Sequence, residues 1–194
     1  MTQQTFSLVP FPASNIPGIT ITGKIARQNN IIALHYSLTG NLDNIFFPSP
    51  SEPPGRKNEL WKTTCLEFFL AIQDQPGYWE FNMSPSGDWN VYHMDAYRRV
   101  GFTEETSLQC LRFVPNRNEA DIFTLEATVD LSPIIEQSQL VEVSVTAIIQ
   151  TKDGAQSYWA LTHPASQADF HLRESFILVL AEQTRLAQRS VLGD

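Results

Sequence analysis

The chain has 194 residues, of which 42% are hydrophobic and only 18% charged, enough apolar material for one filled core and too little charge for a disordered chain. Its formal net charge of −8 sets up a field that repels phosphate backbones and anionic lipid surfaces, so neither nucleic acid nor membrane is expected as a partner. No apolar run approaches the roughly 18 residues needed to span a bilayer, and a single domain over 1–194 is expected.

The opening MTQQTFSLVPFPAS lacks a basic stretch followed by an apolar run and a small-residue cleavage site, so a cytoplasmic location is expected. Residues 18–27 (GITITGKIAR) and 30–39 (NIIALHYSLT) are β-branched, partly alternating runs separated by Gln28-Asn29, a pattern that predicts a hairpin. From Gly40 to Leu60 the prolines Pro48, Pro50, Pro53 and Pro54 accumulate. Proline cannot donate into a sheet ladder, so this segment is predicted to be a surface excursion.

CLEFFLAI (65–72) and YWEFNMS (78–84) then predict two strands around the turn Asp74-Gln75-Pro76-Gly77. Successive side chains of a strand point to opposite faces, so Leu66, Phe68, Leu70 and Ile72 are assigned to the core, and Cys65, Glu67, Phe69 and Ala71 to the other side. Pairing Asp74 with Gly77 would set Phe69 opposite Asn82, Ala71 opposite Glu80 and Glu67 opposite Ser84. The core-facing set on the second strand is Trp79, Phe81 and Met83, and Trp89 is also assigned to packing.

After the turn Ser86-Gly87-Asp88, WNVYHM (89–94) extends the meander, and further strands are predicted near 107–114, 121–130, 140–150, 155–160 and 175–181. A short helical turn is expected at Ser132-Pro133-Ile134-Ile135, with Ser132 as cap, and a short helix at 181–190. The predicted fold is an all-β, two-sheet antiparallel β-sandwich, jelly-roll-like, with a short C-terminal helix. Cys65 and Cys110 lack metal or redox spacing and are expected to be buried free thiols.

One surface of the central hairpin thus mixes the carboxylates Glu67 and Glu80 and the amide Asn82 with aromatic rings. Such groups exchange hydrogen bonds with sugar hydroxyls, while the C–H faces of a pyranose stack on tryptophan or tyrosine. The bland reading of Glu67 is an internal salt bridge to Arg98 or Arg99.

LWKTTCLEFFL followed by YWEFNMSPSGDW, and the late QSYWALTHPASQADFHLRESFILVL, resemble the hallmark segments of family 9 carbohydrate-binding modules and their DOMON-like relatives, over roughly 18–181. The resemblance implies a non-catalytic domain that binds a sugar or oligosaccharide by sandwiching a terminal ring between two tryptophans, matched here by Trp61 and Trp159. It further implies hydrogen bonds from Glu67, from Glu80 and Asn82 on the neighbouring strand, and from Gln156, three residues before the second tryptophan. Glu80 departs from the pattern, where a basic or neutral group is expected.

Other readings stay open at this level. Some DOMON domains bind haem through Met and His, which directs attention to Met83, His93, Met94, His163 and His171, although no CxxCH attachment is present. Glu67 and Glu80 could flank a glycosidic bond, and a structural calcium could sit at Asp43, Glu52 or Asp88. No other cofactor is expected. A structural domain whose ligand site has been lost is the remaining alternative.

Overall fold

The computed structural model describes residues 3–12, 18–97, 102–119 and 121–181. Among them the strands are β1 (Gln3–Pro10), β2 (Ile19–Gln28), β3 (Ile31–Gly40), β4 (Cys65–Ile72), β5 (Tyr78–Met83), β6 (Trp89–Met94), β7 (Thr103–Glu104), β8 (Arg112–Glu119), β9 (Ile122–Asp130), β10 (Val141–Gln150), β11 (Gln156–Ala160) and β12 (Leu178–Leu180). The fold is all-β, and the helical elements among the described residues are the 3-10 turns Leu60–Lys62 and Arg173–Ser175. The helix expected at 181–190 lies, beyond Ala181, outside the described residues.

The strands form one antiparallel sheet in the order β7-β6-β5-β4-β10-β11-β1-β2-β3-β9-β8, with β12 added to β10. Where two separate sheets are expected from the strand pattern, β1 joins the halves. Its residues 3–8 pair with β2, while Val9 and Pro10 pair with Ala160 and Trp159 of β11. The sheet curls until the inner faces of its two halves share one core, in which Leu66, Phe68, Phe81 and Val145 pack with Ile21, Leu34, Leu38 and Leu125. Phe68 and Phe81, directly paired across β4 and β5, stack at 4.2 Å. Each such ring, fully buried, contributes about 1.5–3 kcal/mol of hydrophobic stabilisation. Tyr36 of β3 crosses this core to donate from its hydroxyl to the Glu67 carbonyl at 2.5 Å, tying the far half of the sheet to the strand that carries the site.

The β2–β3 hairpin closes on Asn29-Asn30, with Gln28 paired to Ile31 and Asn29 at φ 54°, a left-handed conformation that asparagine tolerates in tight hairpin loops. The strand expected near 107–114 runs instead from 112 to 119 and contains Pro115, which is accommodated because β8 is the last strand of its half. The segment at 132–135 makes a single turn, in which the N–H groups of Ile134 and Ile135 both donate to the Leu131 carbonyl. Asp130 rather than Ser132 caps it, accepting from the Ser132 N–H at 2.9 Å. Cys65 is buried as expected, whereas Cys110 is exposed, lying before β8 rather than within a strand.

The central hairpin corrects its own expected register. Phe69 pairs with Glu80, Glu67 with Asn82 and Ala71 with Tyr78, two residues from the Asp74–Gly77 pairing. The tight turn forms earlier, where the Gln75 N–H donates to the Ile72 carbonyl at 3.1 Å and Asp74 takes φ 62°. Pro76, which has no N–H to give, then falls outside the ladder. A slip of two keeps parity, so every side chain stays on its assigned face.

Candidate functional site

The outer face of β4, β5 and β10 is not open sheet. Phe69, Ala71, Tyr78, Tyr92, Met94, Ile148, Ala160, Phe170 and Phe176 form a second apolar cluster on it, so β4 is buried on both sides almost throughout. Within this cover a cavity of about 310 Å³ remains over Glu67 and Glu80. Its floor is set by strand register: β4 places Glu67 and Phe69 side by side with Asn82 and Glu80 of β5, and with Thr146 and Ser144 of β10.

The walls come from six separate segments. Trp61 sits on the 3-10 turn Leu60–Lys62, which is anchored by buried Leu60, and its ring meets Tyr92 edge-on at 5.6 Å and Phe102 at 6.1 Å. Tyr158 of β11 faces the cavity beside Ile148, its β10 partner. The stretch 168–171 closes the far side with Asp169, Phe170 and His171. Phe170 lies edge-on to Tyr158 at 6.2 Å, and the His171 ring packs on Phe69 at 5.3 Å while its Nδ1 shares a 3.1 Å hydrogen bond with the Tyr78 hydroxyl.

The floor is electrostatically unbalanced. Glu67 is 2% exposed, its Oε2 reached by the Thr146 hydroxyl at 3.4 Å with the Cys65 thiol beside the carboxyl, and its Oε1 has no hydrogen-bond partner. Glu80, 9% exposed, accepts from the Asn82 amide N–H at 2.8 Å. Burial pushes the Glu80 carboxyl up to about 7 even against that hydrogen bond. Burial, and then the neighbouring Glu80 charge, push Glu67 well above the ordinary carboxylate range. Removing a carboxylate from water without a partner penalises its charged form, and a second carboxylate beside it adds to the penalty. Burial and then Glu67 likewise raise the Cys65 thiol, on the same face of β4, and the Tyr36 hydroxyl in the main core.

The residues expected to form the site are only partly brought together. Trp61, Glu67 and Glu80 line one cavity, and Asn82 lies directly behind them, fully buried and bonded to Glu80. Trp159 stands on the opposite face. It is 3% exposed in the main core, with its indole N–H donating to Ser157 Oγ at 2.9 Å, so no Trp61–Trp159 cleft exists. Tyr158 faces the cavity in its place, because alternation along β11 puts residues 156 and 158 on one side and 157 and 159 on the other. Gln156 does share the cavity's face but is taken up in tethering: its amide N–H donates to the Lys62 carbonyl at 3.0 Å, and its carbonyl accepts from the Tyr158 hydroxyl at 3.2 Å. It thereby fixes the turn bearing Trp61 against Tyr158. Sequence alone does not single out Tyr92 or Thr146; it places Phe69 on this face without a ligand role, and of the 168–171 stretch it marks His171 as a haem candidate. Strand alternation carries the signal for the first three, whereas nothing local marks the last as a wall of the cavity.

The remaining candidates are scattered. Of the Met and His residues a haem reading needs, Met83 is in the main core, Met94 in the outer cluster, His93 lies over Trp79 at 5.0 Å and His163 meets the Val9 carbonyl at 2.9 Å. His171 alone of the five lines the cavity. Asp88 receives hydrogen bonds from Ser51 Oγ, Lys57 Nζ, Ser86 Oγ and the Gly55 N–H at 2.5–3.1 Å, while Asp43 and Glu52 are exposed. Among the described residues no group of three or more His, Cys, Asp and Glu side chains is placed to hold a metal ion, and no helix is long and apolar enough to cross a membrane. Arg98 and Arg99 lie outside the described residues. Trp79 and Trp89 pack in the main core, Trp79 donating to Glu105 at 3.0 Å.

The sequence matches no protein-family model and no curated protein. Among solved structures it is similar to a candidate carbohydrate-binding protein from Bacteroides uniformis, with a TM-score of 0.72 and 13% identity over 94% of this chain and 86% of that one. It is also similar to a family 9 carbohydrate-binding module from Caldicellulosiruptor kristjanssonii, solved with cellotriose (TM-score 0.53, 12% identity, 93% of this chain and 85% of that one) and with glucose (TM-score 0.50, 11% identity, 91% and 83%). At these identities the likeness is one of fold: the chain has a fold like that of the family 9 modules.

Proposed function

We propose that this chain is a non-catalytic sugar-binding domain whose cavity over Glu67 receives the end of a saccharide. The observation that carries the reading is the unpartnered Oε1 of buried Glu67 on the floor of an aromatic-walled cavity. A buried acceptor without a donor costs about 1–3 kcal/mol, a cost that a ligand hydroxyl would remove. Trp61 and Tyr158 offer ring faces for the C–H surface of a pyranose. The volume, about 310 Å³, is at the small end of ligand sites and suits a terminal unit rather than a long stretch of chain. Neighbours in fold space solved with glucose and cellotriose support the same class of ligand.

Hydrolysis fits the floor less well. Glycoside cleavage needs one carboxylic acid and one ionised carboxylate on either side of the bond. Here both carboxyls rise side by side from adjacent strands, and burial drives both toward the neutral acid. Titration calorimetry with glucose, cellotriose and a panel of neutral mono- and oligosaccharides tests the proposal. Wild type is expected to bind at least one, and Trp61→Ala to weaken it by about tenfold or more with the melting temperature little changed. Binding to none of the panel would overturn it, and turnover of chromogenic glycosides that vanishes in Glu67→Gln would replace it with catalysis.

A further inference from the structure

We propose that the preferred ligand carries a protonated amine, as an amino sugar does, and that its ammonium group sits on the Glu67–Glu80 pair. The inference rests on the sugar-binding reading and names the substrate class of that same cavity. Three observations carry it.

First, the two carboxyls occupy diagonal positions on adjacent strands, Glu67 opposite Asn82 and Glu80 opposite Phe69, a separation of about 7 Å between backbone positions. One ammonium, with three N–H donors, can reach both. Second, the nearby donors already treat these groups as acceptors. Asn82 donates to Glu80 Oε1 and Thr146 reaches Glu67 Oε2, which leaves Glu67 Oε1 as the unused acceptor. A neutral sugar hydroxyl could fill that position, but it would leave two like charges, or two acids held un-ionised, buried together. A cation removes that conflict at its source. None of the described lining residues is Lys or Arg.

Third, the rings above the floor suit a cation. Trp61, Tyr92, Tyr158 and Phe102 line the same cavity, and aromatic faces attract an ammonium or the polarised C–H groups beside it. Glu80, which departs from the basic or neutral group expected at its position, acquires a role in this arrangement as the second half of an ammonium seat.

The test compares matched probes near neutral pH by calorimetry: glucose, glucosamine and N-acetylglucosamine, then the β-1,4-linked trisaccharides of each. Glucosamine or its trimer is expected to bind about tenfold or more tightly than both uncharged counterparts, as charge-assisted hydrogen bonds exceed neutral ones. Glu80→Gln, and independently Glu67→Gln, should collapse that ratio, with a thermal melt showing each variant folded. Equal affinity for amine and neutral sugars, or a preference for the neutral ones, overturns the ammonium seat and leaves the sugar-binding reading in place. An amine preference that persists in both variants also overturns it, because the charge would then be read elsewhere. No binding by any probe overturns the inference together with the reading it rests on.

Discussion

The β4–β6 meander carries two buried acid sites, Asp88 and the Glu67–Glu80 pair, and they are built in opposite ways. Asp88, at the turn leading into β6, is 3% exposed and surrounded by donors: Lys57, the hydroxyls of Ser51 and Ser86, and the Gly55 N–H. Burial alone would raise its carboxyl, but these hydrogen bonds outweigh burial and hold it below the ordinary range. Glu67 and Glu80 lie deeper in the protein, and their donors are one weak hydroxyl, one thiol and one amide, with each other as the nearest charge. The first group stabilises the fold by itself. The second is incomplete in a way that only a ligand or a proton can complete, and that contrast distinguishes a structural carboxylate from a candidate binding one.

The contrast predicts a pH profile, which is the largest effect. A carboxyl whose folded pKa is raised binds more protons in the folded than in the unfolded state, so its contribution is present in acid and lost as pH rises through the folded value. Between about pH 4.5 and 7 Glu80 alone should remove about 3 kcal/mol of stability, with Glu67 acting in the same direction. Asp88 and Glu105, both lowered, act in the opposite sense and lose their contribution as pH falls below the ordinary carboxylate range. Denaturant unfolding across this range should therefore show a stability maximum near about pH 5, and a rise in stability from pH 5 to 7 would break the comparison.

Asp88→Asn comes next. It removes the charge and one acceptor from a site with four donors and should cost about 2 kcal/mol at neutral pH, measured as a shift in the denaturation midpoint. The smallest effect has the opposite sign. Glu80→Gln keeps the shape and removes the like-charge conflict but puts an unpaired amide donor beside Asn82, so a gain of only about 1 kcal/mol should remain at neutral pH, and the fall in stability between about pH 5 and 7 should flatten. Loss of stability in both variants would mean that the two acid groups are not different in kind.

Much of this was legible in the sequence because alternation is robust. The face assignment of CLEFFLAI and YWEFNM survived a register error of two, since parity rather than exact pairing decides which side a residue occupies. The same rule exposes the misplaced aromatic. Gln156 and Trp159 are three apart in one strand and cannot share a face, so a site containing Gln156 must take Tyr158. The N-terminal strand β1 is not evident from sequence although Phe6 and Leu8 alternate inward, because its role in joining the sheet halves depends on pairing with β11, some 150 residues away. The 168–171 wall has no local pattern at all. Its position follows from long-range packing of Phe170 and His171 on Phe69, which no short window of sequence contains.

The central claim is that the cavity over Glu67 and Glu80 holds a sugar, and a crystal structure with the tightest-binding saccharide of the panel tests it most directly. The account predicts a terminal ring between Trp61 and Tyr158, with a donor of that ring within hydrogen-bond distance of Glu67 Oε1. A saccharide bound elsewhere, for example in the groove along the proline-rich segment 48–54 and β8, with the Glu67 cavity unchanged, would contradict it.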